Sequence, residues 1–488
     1  MLRLRRKPKI SDPWSYESPL ITIGQDDGFT VGNAYENIAI FGGVGSGKTS
    51  GSAYHLSLAM LQAGFGGLVL TAKQGEAQRW RRLAELAGRG QDLIVVADNG
   101  EQQFNFLDYQ FELQGRSGAA IENLVVTLDA LMQVAERATG MKPGRGQESF
   151  WEQGIRKYAR AVISLVVFAT EGITVAHMLE VMRSVPRSLA QAQDAKWQKQ
   201  SLVCKLIAIA RNRLVDESSR HDLEQVESFF LYEFPAIAER TRSVFEAGLF
   251  GILDLLSRGT LHWLFGRGTT VTPADCLAGK ILVIDLPVAT RQAIGLIAQT
   301  LFKLSFQQMS QQRPAGEDRP LFLMADEFQE LVTVHDFRFA SVSRESKVVN
   351  CFITQSIASL YSALGADESG KAAVDAILGL ASLKVFHSNA CPITNQWASE
   401  LIGRRRTRLF SSSMNLEPRN PFSLFEPEQK YTTGMNESFE YAVMPHHFTR
   451  LQKGGPPHMQ TEAILFGGGR RWHGSGETYI KTTFNQGF

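Results

Sequence analysis

Gly42-Gly-Val-Gly-Ser-Gly-Lys48-Thr49 matches G-x-x-x-x-G-K-[ST], and no other stretch restricts the fold of this chain as tightly. The glycines let successive backbone N–H groups turn inward around a polyphosphate, and the N-terminus of a following helix favours the same negative charge. The motif therefore demands a strand on one side and a helix on the other. Both are legible: Asn37–Phe41 (Asn-Ile-Ala-Ile-Phe) is a short apolar strand, and apolar residues at helical spacing continue to about Ala63. Within the motif, Lys48 is placed to reach the β- and γ-phosphates of ATP and the Thr49 hydroxyl to ligate Mg²⁺. Gly42, Gly43, Val44, Gly45, Ser46, Gly47, Lys48, Thr49 and Ser50 form the expected nucleotide cradle.

The surrounding pattern predicts an α/β fold. Gly67–Thr71, Asp92–Ala97, Lys280–Asp285, Pro320–Ala325 and Val348–Thr354 read as buried strands, and Glu76–Leu86 and Arg291–Gln312 as helices. Strands alternating with helices at this spacing argue βαβ units and a mainly parallel sheet. From about Phe111 to Arg267 the pattern is helical. Ile121, Leu124, Val125, Leu128, Leu131, Met132 and Ala135 recur at steps of three and four, one buried helix face. A loop is expected over Gly140–Gly146, a helix over Phe150–Phe168, and two further helical blocks near Leu189–Arg213 and Leu223–Leu256. The organisation expected is thus 1–110 as the first part of a P-loop NTPase domain, 111–267 as an all-α insertion, and 268–488 as the second part. Beyond Gly403 the chain is rich in Pro, Ser and Gly and reads as loops plus one or two closing strands, with hairpin turns at Gly467–Gly469 and Gly474–Gly476.

A P-loop needs an acid for its metal. Leu321-Phe-Leu-Met-Ala-Asp326-Glu327 supplies one, an apolar strand ending in an acidic pair. Asp326 is the expected Mg²⁺ ligand, and Glu327 the base that orients and deprotonates the attacking water. Asp285, at the end of Leu282-Val-Ile-Asp285, competes for the metal role but lacks the following carboxylate. Val348–Thr354 runs into Gln355-Ser356. A glutamine there is placed to sense the γ-phosphate or the water, and a strand-to-helix cap is the plainer reading.

Composition narrows the class. With 44% hydrophobic and 20% charged residues the chain is neither disordered nor fibrous. Lys+Arg 51 against Asp+Glu 49 excludes a polybasic nucleic-acid coat, though not a machine with its basic residues gathered in one pore or patch. Cys204, Cys276, Cys351 and Cys391 form no C-x-x-C pair, and His446, His447 and His458 show no metal-ligand spacing. The basic run Met1–Ile10 is not followed by the apolar core of a signal peptide. The best apolar run, Ala161–Thr170, is bounded by Arg160 and Glu171 and is too short to span a bilayer. The expected location is the cytoplasm, or the inner face of the cell membrane as a peripheral protein.

In this order the P-loop, Ala325-Asp326-Glu327-Phe328 and Phe352-Ile-Thr-Gln355-Ser resemble the type IV secretion coupling proteins, the TraG/TraD/TrwB-like family of conjugative DNA-transfer ATPases within the FtsK/HerA superfamily. Thr71-Ala-Lys73-Gln-Gly75-Glu76 is similar to that family's D-P-K-G-E segment, with Asp and Pro replaced and a Gln inserted. Phe104-Asn105-Phe-Leu107-Asp108 is similar to its F-N-P-L-D, and Phe150-Trp151 to a segment of its all-α domain. The resemblance covers about Tyr35 to Phe466. It implies a RecA-like P-loop NTPase domain with an inserted all-α domain, ATP and Mg²⁺ as cofactors, and a homo-hexamer in which Arg344 is an arginine finger. It implies DNA gripped by its backbone without sequence readout, and relaxase or secretion-channel proteins as partners. Family members usually begin with transmembrane helices. None is expected here, so a separate membrane-anchor subunit is a further expected partner. Arg404–Arg408 and Arg79–Arg82 are the candidate DNA patches, with subunit contacts or solvated faces as the alternatives. Two other functions fit the same motifs: a HerA/FtsK-like soluble DNA pump in repair or phage defence, and a nucleotide-gated adaptor that recruits substrates without pumping.

Overall fold

The computed structural model describes residues 12–23, 27–139, 148–314, 316–418 and 427–487. The Met1–Ile10 run and the Gly140–Gly146 loop lie outside them. The chain divides into two compact units, Met1–Leu20 with Ser57–Phe352, and Ile21–Leu56 with Ile353–Phe488.

In the first unit, strands Val348–Thr354 (up to Phe352), Leu321–Ala325, Gly66–Leu70, Ile281–Asp285 and Leu93–Ala97 lie side by side in that order, all parallel. Gly66–Leu70 and Leu321–Ala325 are buried at every position. That explains their continuous apolar runs, since a parallel strand is covered on both faces. Helix Glu76–Leu86 sets Trp80 against Phe322 with ring centroids 5.8 Å apart and leaves Arg81 and Arg82 exposed.

Between Leu93–Ala97 and Ile281–Asp285 the described residues form helices and no strand. Gly118–Thr139 and Glu148–Ala169 are the longest of these, burying Leu124, Leu128 and Leu131 from one and Val162, Leu165 and Val166 from the other. Gly118–Ala138 is long and apolar enough to cross a membrane. In this unit that helix lies in the core, and its Asp129 accepts a hydrogen bond from Arg156 at 2.7 Å. The helical block expected near Leu189–Arg213 is made of three helices. Asp194 and Ser201 each cap a new start, accepting from the Lys196 and Cys204 amides, so the chain turns twice within the block.

In the second unit, Ile38–Phe41 runs parallel to Leu383–His387, which pairs antiparallel with Gln460–Gly467, and that strand with Tyr479–Asn485. Here the Gly42 amide donates to the Thr354 carbonyl at 3.3 Å. Arg404–Pro418 and Pro427–Tyr441 form a separate antiparallel ribbon in which Arg404 faces Tyr441 and Phe410 faces Met435. The region beyond Gly403 thus holds four strands rather than one or two. Gly467–Gly469 and Gly474–Gly476 do fall in the turn between antiparallel strands.

Candidate nucleotide site

The Gly42–Thr49 motif belongs to the second unit. It leaves strand Ile38–Phe41 and enters a five-residue π-helical turn, Thr49–Ala53, that continues as helix Tyr54–Gln62. Gly45 (φ 71°) and Gly47 (φ 82°) take the left-handed conformation that an inward-turned amide cradle requires. Val44 is exposed at the tip, whereas Ser46 and Lys48 are buried. The loop is held from beneath. Thr461 Oγ1 donates to the Ser46 carbonyl at 2.5 Å, and a Cβ on Gly47 would stand 2.8 Å from Thr461 Cβ.

His387, at the end of the strand beside the loop, is fully buried. Its Nε2 lies 2.7 Å from Ser52 Oγ and its Nδ1 3.1 Å from the Glu462 carbonyl. A carbonyl can only accept, so Nδ1 carries the proton and Nε2 accepts from Ser52. Burial pushes its pKa down to about 4 against the pull of the Glu462 carbonyl, and the Lys48 charge adds to the fall. The imidazole is a neutral strut under the loop. Thr461 and His387 escaped sequence reading. The signal was present in Leu383-Lys-Val-Phe-His387, an apolar strand interrupted by one lysine. That lysine is buried, its Nζ 5.8 Å from the centroids of both the Trp397 and Phe466 rings.

Gln355 directly follows the Val348–Thr354 strand, with its carbonyl accepting from Asn389 Nδ2 at 2.8 Å. Ser356 is the N-cap of helix Ile357–Leu364, accepting from the Ser359 amide at 3.1 Å. The segment does serve as a strand-to-helix cap, through Ser356 rather than Gln355.

The acids belong to the first unit. Asp326 and Glu327 end strand Leu321–Ala325 and are both buried. Glu327 is left-handed (φ 49°, ψ 50°), and its amide donates to Asp326 Oδ1 at 2.9 Å. Lys73 Nζ donates to Glu327 Oε1 at 2.5 Å and Gln329 Nε2 to Oε2 at 2.7 Å. Although burial disfavours its charge, the bond to Glu327 and the nearby Asp326 hold the Lys73 ammonium above the ordinary lysine range. Glu76 is buried beside Asp326. Burial, then the Asp326 charge and a shared hydrogen bond, push its carboxyl well above the usual range. Its Oε1 has no hydrogen-bond partner. Two buried carboxyls with an orphaned oxygen are a donor set of the hard, oxygen-only kind that suits Mg²⁺. Asp285 lies apart, near Arg81 and Glu85 around a cavity of about 420 Å³.

Arg344 is exposed in the turn between helix His335–Val342 and strand Val348–Thr354, 5.8 Å from the Tyr16 ring centroid. Arg404, Arg406 and Arg408 share one face of the second unit's ribbon with Phe410, opposite Tyr441, Phe439, Glu437 and Met435. All three arginines are exposed, as are Phe410, Met435 and Phe439; Glu437 pairs with Arg406 and Arg408, and Arg404 stacks on Tyr441 at 4.7 Å.

An α/β architecture with mainly parallel strands, a glycine cradle and a helical insertion defines a RecA-like P-loop protein. Residues 320–445 match the family described as the TraM recognition site of TraD and TraG. The bacterial conjugative coupling protein TrwBdeltaN70 is 13% identical, with a TM-score of 0.59 over 96% of this chain and 89% of that one. TrwB with the GTP analogue GDPNP gives 13% and 0.59 over 96% and 90%, and TrwB with ADP and Mg²⁺ gives 13% and 0.59 over 97% and 91%. No curated protein matches the chain. The chain is therefore TraG/TraD/TrwB-like, in the matched segment and in fold.

Proposed function

We propose that this chain is an ATP-hydrolysing motor of the coupling-protein type that moves DNA, or DNA carrying protein, during conjugative transfer. The observation that carries the reading is the Gly42–Thr49 loop, with Gly45 and Gly47 in the conformation a polyphosphate cradle needs. The acids of the first unit and the nucleotides named in the TrwB structures support it. Lys48 binds the β- and γ-phosphates, and Thr49 and Asp326 hold Mg²⁺, which when bound neutralises phosphate charge. Glu327 takes the proton of the attacking water, and Gln355 orients that water. Arg344, exposed on its turn, serves a neighbouring subunit's nucleotide in a homo-hexamer. The Arg404–Arg408 face, basic and interleaved with aromatics, suits single-stranded DNA, whose phosphates and base faces call for that mixture. Through its likeness to the TraM recognition site of TraD and TraG, the 320–445 segment is the docking surface for partner proteins, of which relaxase or secretion-channel proteins are the expected class. Its place of work on this reading is the cytoplasm or the inner face of the cell membrane.

The test is ATP turnover by the purified chain with and without single- or double-stranded DNA. Lys48→Ala should abolish binding or turnover, and Glu327→Gln should bind ATP without hydrolysing it. A wild-type chain that hydrolyses nothing with either DNA is not a motor.

A further inference from the structure

Lys73, in the segment Thr71-Ala-Lys73-Gln-Gly75-Glu76, has no part in the function above, yet it meets Glu327. Strand Gly66–Leu70 pairs with Leu321–Ala325 in parallel, Leu70 opposite Ala325. The residues that leave one strand therefore emerge beside those that leave the other. This brings Lys73 to within 2.5 Å of Glu327 Oε1 across 254 residues of sequence. Glu327 is left-handed, precedes a helix of only four residues and makes no side-chain cap bond. Its carboxylate is 5% exposed and is aimed by two donors, Lys73 on one oxygen and Gln329 on the other. Lys73 is half exposed, so its ammonium is held there by that bond rather than by packing.

We propose that Lys73 is a positioning residue for Glu327, fixing the carboxylate in the direction from which it accepts the water's proton. This rests on Glu327 acting as the base. A displacement of about 1 Å in a reacting group costs on the order of 100-fold in rate, and removing Lys73 removes the charged donor on Glu327 Oε1.

The experiment compares Lys73→Met, Lys73→Arg, Glu327→Gln and the double Lys73→Met/Glu327→Gln in steady-state and single-turnover ATP hydrolysis, each checked for folding by its melting curve. Lys73→Met should lower kcat roughly 10- to 100-fold with KM and nucleotide affinity unchanged, and Lys73→Arg should restore most of it. In the Glu327→Gln background Lys73→Met should change nothing, because the group it aims is no longer a base. Should Lys73→Met melt early, Lys73→Gln takes its place. Wild-type turnover in the Lys73 variants, or an equal loss in both backgrounds, overturns the positioning role and leaves the base assignment intact. Wild-type turnover in Glu327→Gln removes the base assignment itself, and the inference with it.

Discussion

Lys303 lies in helix Val288–Gln311 with no exposed side-chain surface, and Asp336, equally buried, accepts from it at 2.6 Å. The same ammonium donates to the Leu331 carbonyl at 2.5 Å, while Asp336 also accepts from Gln307 Nε2 at 2.8 Å and the Thr333 amide at 2.7 Å. Replacing Lys303 by Met keeps the volume and removes the cation, leaving a buried carboxylate and an unmatched carbonyl. Breaking a buried pair from one side costs about 3–5 kcal/mol. The neutral donors that remain on Asp336 favour the lower end, about 3. At about 2 °C per kcal/mol for a unit of this size, the melting temperature should fall by about 6 °C. The double variant Lys303→Met/Asp336→Leu removes both charges together, so its loss should be smaller than the sum of the two single losses by about 1–3 kcal/mol. Thermal unfolding of the four proteins without nucleotide gives the cycle. A Lys303→Met melt within about 1 °C of wild type, or strictly additive losses, refutes the reasoning. Leu331 closes the short helix that begins right after Glu327, so the single variant should also lower turnover more than nucleotide affinity.

The buried His387 should make the second unit acid-labile. Its folded pKa is about 4 and its ordinary value 6.5, so the unfolded chain binds the extra proton, and stability present above pH 6.5 is lost as pH falls towards 4. At 1.36 kcal/mol per pKa unit the loss approaches about 3 kcal/mol. Urea midpoints at several pH values should fall more steeply in wild type than in His387→Asn, and parallel falls would contradict this. Gly47→Ala places a Cβ at φ 82° and 2.8 Å from Thr461; it should cost about 1–3 kcal/mol and abolish binding of a fluorescent ATP analogue. Changing Arg404, Arg406 and Arg408 together to Ser should lower single-stranded DNA affinity and flatten its log–log salt slope by about 2, read by anisotropy titrations at several salt concentrations; an unchanged slope would move the DNA contact elsewhere.

What was legible in the sequence is what lies close along the chain. Gly42–Thr49 carries its own strand and helix, and Leu321–Glu327 its own burial pattern, because a parallel strand covered on both faces must be continuously apolar. The strand that carries His387 was not legible, because Lys384 breaks its apolar run, and that lysine is tolerable only through tertiary folding, by its hydrogen bond to the Ala381 carbonyl and its packing against Trp397 and Phe466. The ribbon of Arg404–Pro418 and Pro427–Tyr441 was hidden for the opposite reason. The exposed side chains around Arg404–Arg408 demand no apolar alternation, so its arginines read as a solvated run rather than one face of a paired structure.

The contact between Lys73 and Glu327 belongs to a third kind. Each residue sits in a segment visible by itself, but nothing in either says that they meet. That follows from strand order: Gly66–Leu70 is flanked by two strands from much later in the chain, Ile281–Asp285 and Leu321–Ala325. Because residues leaving neighbouring parallel strands emerge at the same end, the tip of Gly66–Leu70 must face whatever follows Ala325. The Asp and Pro replaced in the Thr71–Glu76 segment therefore leave the lysine's reach intact, since that reach is set by the register Leu70 opposite Ala325 and not by the residues between. A substitution that shifted this register would remove the contact even with both side chains unchanged.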